Sequence, residues 1–142
     1  MQKEKKPLLF VVSAALIDEQ NRFLLTQRPG SKPMAGLWEF PGGKLEPFET
    51  PEEAIVRELY EELDVVVDQE DLIPLTFASH SYADFHLFMP IYICRKWKGQ
   101  MYGKEGQEII FCNEKQMKNF DFPQADIMIL QCLIDKLKGK EI

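Results

Sequence analysis

Over most of this chain apolar and polar residues fall in short β-type runs, and helical spacing dominates in two stretches. Leu8 to Ile17 (LLFVVSAALI) and Arg22 to Gln27 (RFLLTQ) flank the polar turn Asp18-Glu19-Gln20-Asn21, which predicts a hairpin of two short strands. A loop rich in Gly and Pro, Arg28 to Leu37, leads to a short strand at Trp38-Glu39-Phe40 and then to the turn-forming Pro41-Gly42-Gly43. Leu72 to Ser81 and Phe85 to Trp97 have the β-branched and aromatic content of strands, with Asp84 at the turn between them. They predict a second hairpin, and Glu108 to Phe111 predicts a further short strand.

Thr50-Pro51-Glu52-Glu53 is a helix start. Thr50 suits the N-cap, Pro51 suits the first helical position, and Glu53 completes a capping box. The spacing predicts a helix to about Leu63. Ile55, Val56, Leu59 and Leu63 share one face, and Glu58, Glu61 and Glu62 gather on the adjacent face. Pro123 to Leu137 repeats the apolar period at Ile127, Leu130, Ile134 and Leu137 before a stop at Gly139, which predicts a closing helix. Strands followed by a helix in each half imply an α/β class in which one mixed sheet system is covered by helices.

A length of 142 residues with 45% apolar content fits one domain spanning 1–142 with a core that needs no disulfides. Cys94, Cys112 and Cys132 are scattered in apolar runs, so they read as buried free thiols of a reducing compartment. The first residues, MQKEKKP, precede no signal core, and the run Leu8 to Ile17 is too short to span a bilayer; a cytoplasmic location is expected. The net charge of −6 argues against nucleic-acid backbones as partners, and with no run long enough to span a bilayer no membrane partner is expected. It is compatible with a small polyphosphate held through divalent cations.

Glutamates at i, i+3 and i+4 repel one another by roughly 0.2–0.5 kcal/mol per pair. Arg57 is the neighbouring partner in sequence. The arrangement costs stability unless a cation is bound, and carboxylates on one rigid helix after a glycine turn suit Mg²⁺ or Mn²⁺. Gly42-Gly43 can bring main-chain groups close to a ligand or metal.

Gly43, five residues, Glu49, seven residues, Arg57-Glu58-Leu59, one residue, Glu61-Glu62, two residues and Val65 reproduce the spacing and residue types of the Nudix box. One position departs: Asp64 stands where the family has a glycine, at a helix end that often takes a left-handed conformation. Arg28-Pro29, Leu37 to Lys44, Trp97-Lys98-Gly99, Gly103 to Gln107 and Phe122 to Asp126 resemble the MutT branch of that family. The resemblance implies a Nudix αβα sandwich. It also implies a pyrophosphohydrolase that converts oxidised purine nucleoside triphosphates, chiefly 8-oxo-dGTP, to the monophosphate and pyrophosphate by water attack at the β-phosphorus, a nucleotide-pool sanitation activity.

Carried over by motif position, the resemblance makes Glu58, Glu61, Glu62, Glu105 and the Gly42 carbonyl metal ligands, and pairs Arg57 with Glu49 to orient the helix carboxylates. Arg28 becomes a phosphate ligand, and the general base is Glu58, Glu61 or Glu105. Phe40, with Trp38, is a candidate for stacking on the base, and Asp126 for reading its edge. Ionised Asp126 accepts hydrogen bonds only, where the best-known member of the branch has an Asn. A protonated Asp126 suits an oxidised purine; an ionised one suits the amino group of cytosine or adenine, which makes a preference for CTP, dCTP or oxidised cytosine nucleotides the alternative. The alternative of another class is a Nudix nucleotide sensor without catalysis, against which the complete glutamate set argues. His80 and His86 carry no ligand spacing, although His86 is near the site by sequence; the run Phe85 to Ile93 reads as core. Oligomeric state and the number of metal ions are open.

Overall fold

The computed structural model describes residues 5–30 and 34–139; Met1 to Glu4, Ser31 to Pro33 of the Gly/Pro-rich loop, and the last residues after Gly139 lie outside the described residues. The elements run β1 (Leu8–Leu16), β2 (Phe23–Gln27), β3 (Trp38–Glu39), β4 (Gly42–Lys44), α1 (Pro51–Leu63), β5 (Ile73–Ser81), β6 (His86–Cys94), β7 (Ile109–Cys112) and α2 (Gln124–Leu137). The strands form a mixed four-stranded sheet, β4-β1-β6-β5, and an antiparallel three-stranded sheet, β3-β2-β7. Strand β1 is parallel to β6 and antiparallel to β4.

Alternation along the strands divides the core in two. Val12, Ala14 and Leu16 of β1, with Leu24, Tyr92 and Cys94, pack under Ala54, Ile55, Leu59 and Leu63 of α1. Ala15, Ile17, Phe23, Leu25, Met89, Ile91 and Ile93 face the other way, against Ala125, Ile129, Leu130, Leu133 and Ile134 of α2. A helix, strands and a helix therefore lie in successive layers, the αβα sandwich expected.

Three expectations need correction. The first is the hairpin from Leu8 to Gln27: its turn forms, with Asp18 accepting from the backbone of Gln20 and Arg22 and from the Arg22 guanidinium, but β1 and β2 meet only at the Ile17–Phe23 bridge. Both edges of β1 are occupied by β4 and β6, so β2 diverges into the second sheet. The second is Gly42-Gly43, which is strand rather than turn; a Cβ on Gly42 would stand 2.0 Å from the Val12 carbonyl oxygen, so only glycine allows this pairing with β1. The third is Cys132, at the border of the buried face of α2 and only half-buried, unlike Cys94 and Cys112. No described helix is long and apolar enough to cross a membrane.

Candidate active site

Helix α1 starts where its capping box places it. Thr50 Oγ1 accepts from the Glu53 N–H at 3.1 Å, and Glu53 Oε1 accepts from the Thr50 N–H at 2.9 Å. Asp64 ends the helix in the left-handed region, φ 62°, with its N–H donating to the Tyr60 carbonyl at 3.1 Å. With Ile55, Leu59 and Leu63 buried in the core, Glu58, Glu61 and Glu62 emerge on the flank that borders a cleft of about 620 Å³. Gly42 and Gly43 of β4 form the facing wall. A Cβ on Gly43 would stand 2.4–2.6 Å from the Glu58 carboxyl atoms, so the absence of a side chain there is what lets Glu58 lie against the strand.

Burial raises the carboxyls of both Glu58 and Glu62, which hydrogen-bond to each other. Glu62 is pushed up to about 9, first by burial and then by the charges of Glu58, Glu105 and Glu39. A hydrogen bond between two carboxyl groups needs a proton on one of them, and Glu62 is the group that retains it. Glu61 is more exposed. Arg57 ties the assembly to the preceding loop. Its Nε and NH2 donate to the two Glu49 oxygens at 2.8 Å each, NH2 also reaches the Lys44 carbonyl at 3.1 Å, and NH1 donates to Glu58 at 2.9 Å and Glu61 at 3.3 Å. This bidentate pair holds the Glu49 carboxyl down at about 2 and the Arg57 guanidinium firmly in its charged form.

Glu105 stands on an exposed turn, residues 103–107, close enough to Glu62 for its charge to help raise that carboxyl. Backbone donors of Tyr102 and Lys104 reach the carbonyls of Leu63 and Glu62 at 3.2 and 2.9 Å and so close the end of α1.

At another part of the cleft, Arg28 NH1 donates to both Glu39 oxygens at 3.0 and 3.2 Å. Asp126, in the first turn of α2, is 4% exposed, and its Oδ2 accepts from the Phe40 N–H at 3.0 Å. Burial, with the Glu39 charge adding to it, pushes the Asp126 carboxyl up to about 7, against the opposing effects of the Phe40 N–H and Arg28.

Every residue expected at the site except Arg57, Glu49 and Trp38 therefore borders one cleft, and Arg57, paired with Glu49, holds Glu58 and Glu61. Phe40 does not offer the stacking face expected: the residue is 3% exposed, its ring packs 6.1 Å from that of Phe23, and its N–H meets Asp126. Trp38 packs against Phe120 at 5.0 Å. His86 turns away from the cleft and pairs with Ser79 at 2.7 Å. Sequence reasoning missed the apolar wall. Phe85, Leu87 and Met89 of the run taken as core, with Leu9, Val11 and Tyr82, line the cleft as well. The signal was present in the period of two: in the parallel β1·β6 pair, Leu9 lies beside Leu87 and their neighbours face the opposite side.

A hard divalent cation suits the donor set gathered here, which consists of carboxylates and main-chain carbonyls with no thiol or imidazole among the cleft residues. The raised Glu58 and Glu62 carboxyls are the specific observation: like groups face each other, with Arg57 offsetting the charge of Glu58. Among the described residues no three acidic, His or Cys side chains already stand as a ligand shell, since Arg57 engages Glu58 and Glu61 instead.

Residues 12–132 match the model of the NUDIX domain. An 8-oxo-dGTP diphosphatase of Proteus vulgaris is 39% identical over 75% of this chain and 91% of its own length. A CTP pyrophosphohydrolase of Escherichia coli strain K12 is 32% identical over 87% of this chain and 90% of its own. A structure of MutT, solved in a study of the Aliivibrio salmonicida and Vibrio cholerae proteins, superposes with a TM-score of 0.76 at 28% identity, covering 91% of this chain and 98% of that one.

Proposed function

The chain belongs to the NUDIX domain family, and from that premise we propose that it is a divalent-metal-dependent nucleoside triphosphate pyrophosphohydrolase acting on oxidised purine nucleotides such as 8-oxo-dGTP. One observation supports the reading: the carboxylates of α1 and the buried Asp126 border the same cleft, as a single nucleotide touching both a metal-bound phosphate and a base-reading group would require. The substrate in this reading is a free nucleotide.

Glu58, Glu61, Glu62, Glu105 and the Gly42 carbonyl are the proposed holders of Mg²⁺ or Mn²⁺. The bound cation supplies neutralisation of phosphate charge and a more acidic water. A cation held there would need the Glu62 carboxyl ionised, so its affinity would rise with pH. Glu58, fixed by Arg57 and seated against Gly43, is the best-placed acceptor of the proton lost by the attacking water. Arg28 is the phosphate ligand, its guanidinium held at the cleft by Glu39.

Asp126 supports the choice of base. A carboxyl at about 7 is divided between both forms near neutrality. Its neutral form offers a donor and an acceptor together, which meets the O6 and N7–H of an 8-oxo-purine; its ionised form only accepts, which meets an exocyclic amino group. The second reading, a preference for cytosine nucleotides, rests on that ionised form and on the similarity to a CTP pyrophosphohydrolase. Pyrophosphate release from 8-oxo-dGTP, dGTP, CTP and dCTP with Mg²⁺ at pH 6 and pH 8 separates the two. The purine reading requires 8-oxo-dGTP to be preferred over dGTP, most strongly at the lower pH. Preference for CTP or dCTP at both pH values refutes it and leaves the pyrophosphohydrolase assignment standing.

A further inference from the structure

Gln107 spans two main chains. Its Nε2 donates to the Glu62 carbonyl at 3.0 Å, and its Oε1 accepts from the Glu105 N–H at 2.9 Å. Helix capping alone does not require this side chain, because the Glu62 carbonyl already accepts from the Lys104 N–H at 2.9 Å and the Leu63 carbonyl from the Tyr102 N–H at 3.2 Å. The donation from Gln107 is a second bond to a satisfied oxygen, whereas its acceptance fixes the backbone of Glu105. The turn is shaped around it. Gly106 N–H closes onto the Gly103 carbonyl at 3.0 Å, Gly106 takes φ 84°, and a Cβ on Gly103 would stand 1.9 Å from the Gln107 carbonyl oxygen. A second tie runs from the end of α1: Asp64 pairs with Lys104 at 3.3 Å, and the Lys104 ammonium lies 4.6 Å from the Tyr60 ring centroid.

We infer that Gln107 is a positioning residue that joins the main chains of Glu62 and Glu105 and so sets the distance between the carboxylate of the helix and that of the turn. The inference rests on the proposed role of Glu105 as a metal ligand. Partners that orient ligands in this way change metal affinity by about 10–100-fold when removed.

The test measures Mn²⁺ binding to the metal-free protein by the electron paramagnetic resonance of free Mn²⁺, for wild type, Gln107→Met, Glu105→Gln and the double variant. Gln107→Met weakens Mn²⁺ binding about tenfold, Glu105→Gln does the same, and the double variant is no weaker than the weaker single one. Gln107→Asn, one methylene too short to reach both partners, gives the same loss and guards against a Met variant that does not fold. In turnover, the Mg²⁺ concentration for half-maximal rate rises about tenfold in Gln107→Met, while kcat at saturating Mg²⁺ is largely recovered. Wild-type Mn²⁺ affinity in a folded Gln107 variant, or losses that multiply in the double variant, overturn the inference. If Glu105→Gln itself binds Mn²⁺ as wild type does, the ligand role of Glu105 fails and the inference with it. If only the Gln107 variants keep wild-type affinity, the ligand role survives and the inference alone falls.

Discussion

Asp126→Asn should flatten the pH dependence of stability, with its gain over wild type largest at alkaline pH. The Asp126 carboxyl is pushed up to about 7 in the folded chain, against an ordinary value of about 3.9 in the unfolded one. The folded state therefore binds more protons between these two values, and stability falls as pH rises through that window and levels off above it. With about 1.36 kcal/mol per unit, the cost of ionising Asp126 is roughly 1.5 kcal/mol at pH 5 and roughly 4 kcal/mol at pH 8, a difference of about 2.5 kcal/mol. Asn retains an oxygen for the Phe40 N–H and does not ionise. Urea unfolding of both proteins at pH 5 and pH 8, with chelator present, isolates the effect, because the raised Glu58 and Glu62 carboxyls are common to both. The variant gains about 2.5 kcal/mol on wild type between the two pH values. Parallel profiles, differing by less than about 0.5 kcal/mol, would show that the buried carboxyl does not carry this penalty.

Other perturbations test the rest of the site. Gly43→Ala drives a methyl into the Glu58 carboxyl; steady-state kinetics should show kcat falling by about 100-fold, the usual scale for an ångström-sized displacement of a reacting group, with circular dichroism unchanged. Glu61→Gln or Glu62→Gln lowers turnover by orders of magnitude with the fold intact, and wild-type rates in either would remove the carboxylate helix from the chemistry. Asp64→Gly relieves a left-handed non-glycine residue but loses the Lys104 pair. Those opposing effects keep the stability change within about 1 kcal/mol and leave activity near wild type, as urea unfolding and turnover would show.

Helix α1 was legible because its signals are local: the capping box at Thr50 and Glu53, the apolar period and the glutamates all lie within one stretch. Strand β4 was not, since Gly42 and Gly43 have no strand propensity of their own and become strand through pairing with Val12 and Ser13 of β1. The divergence of β1 from β2 was hidden for the same reason. What decides it is β6, a partner far along the chain whose pairing no local pattern announces. Asp126 could be named from sequence, but its raised proton affinity comes from burial and the nearby Glu39 charge, against the Phe40 N–H, which reaches it from 86 positions away. Phe85, Leu87 and Met89 belong to the core as the sequence reads them, and that the same side chains also wall a cleft depends on distant residues such as Asp126 and Glu62 bordering it with them.

The central claim is that the chain cleaves a nucleoside triphosphate to monophosphate and pyrophosphate with a divalent cation held by the carboxylates of α1. Ion-exchange separation of the products from 8-oxo-dGTP, with Mg²⁺ and again with excess chelator, tests it most directly. The account predicts monophosphate and pyrophosphate in equal amounts, no diphosphate or orthophosphate, and loss of both products on chelation with recovery on adding Mg²⁺. Release of orthophosphate with a nucleoside diphosphate, or turnover that persists under chelation, would contradict it.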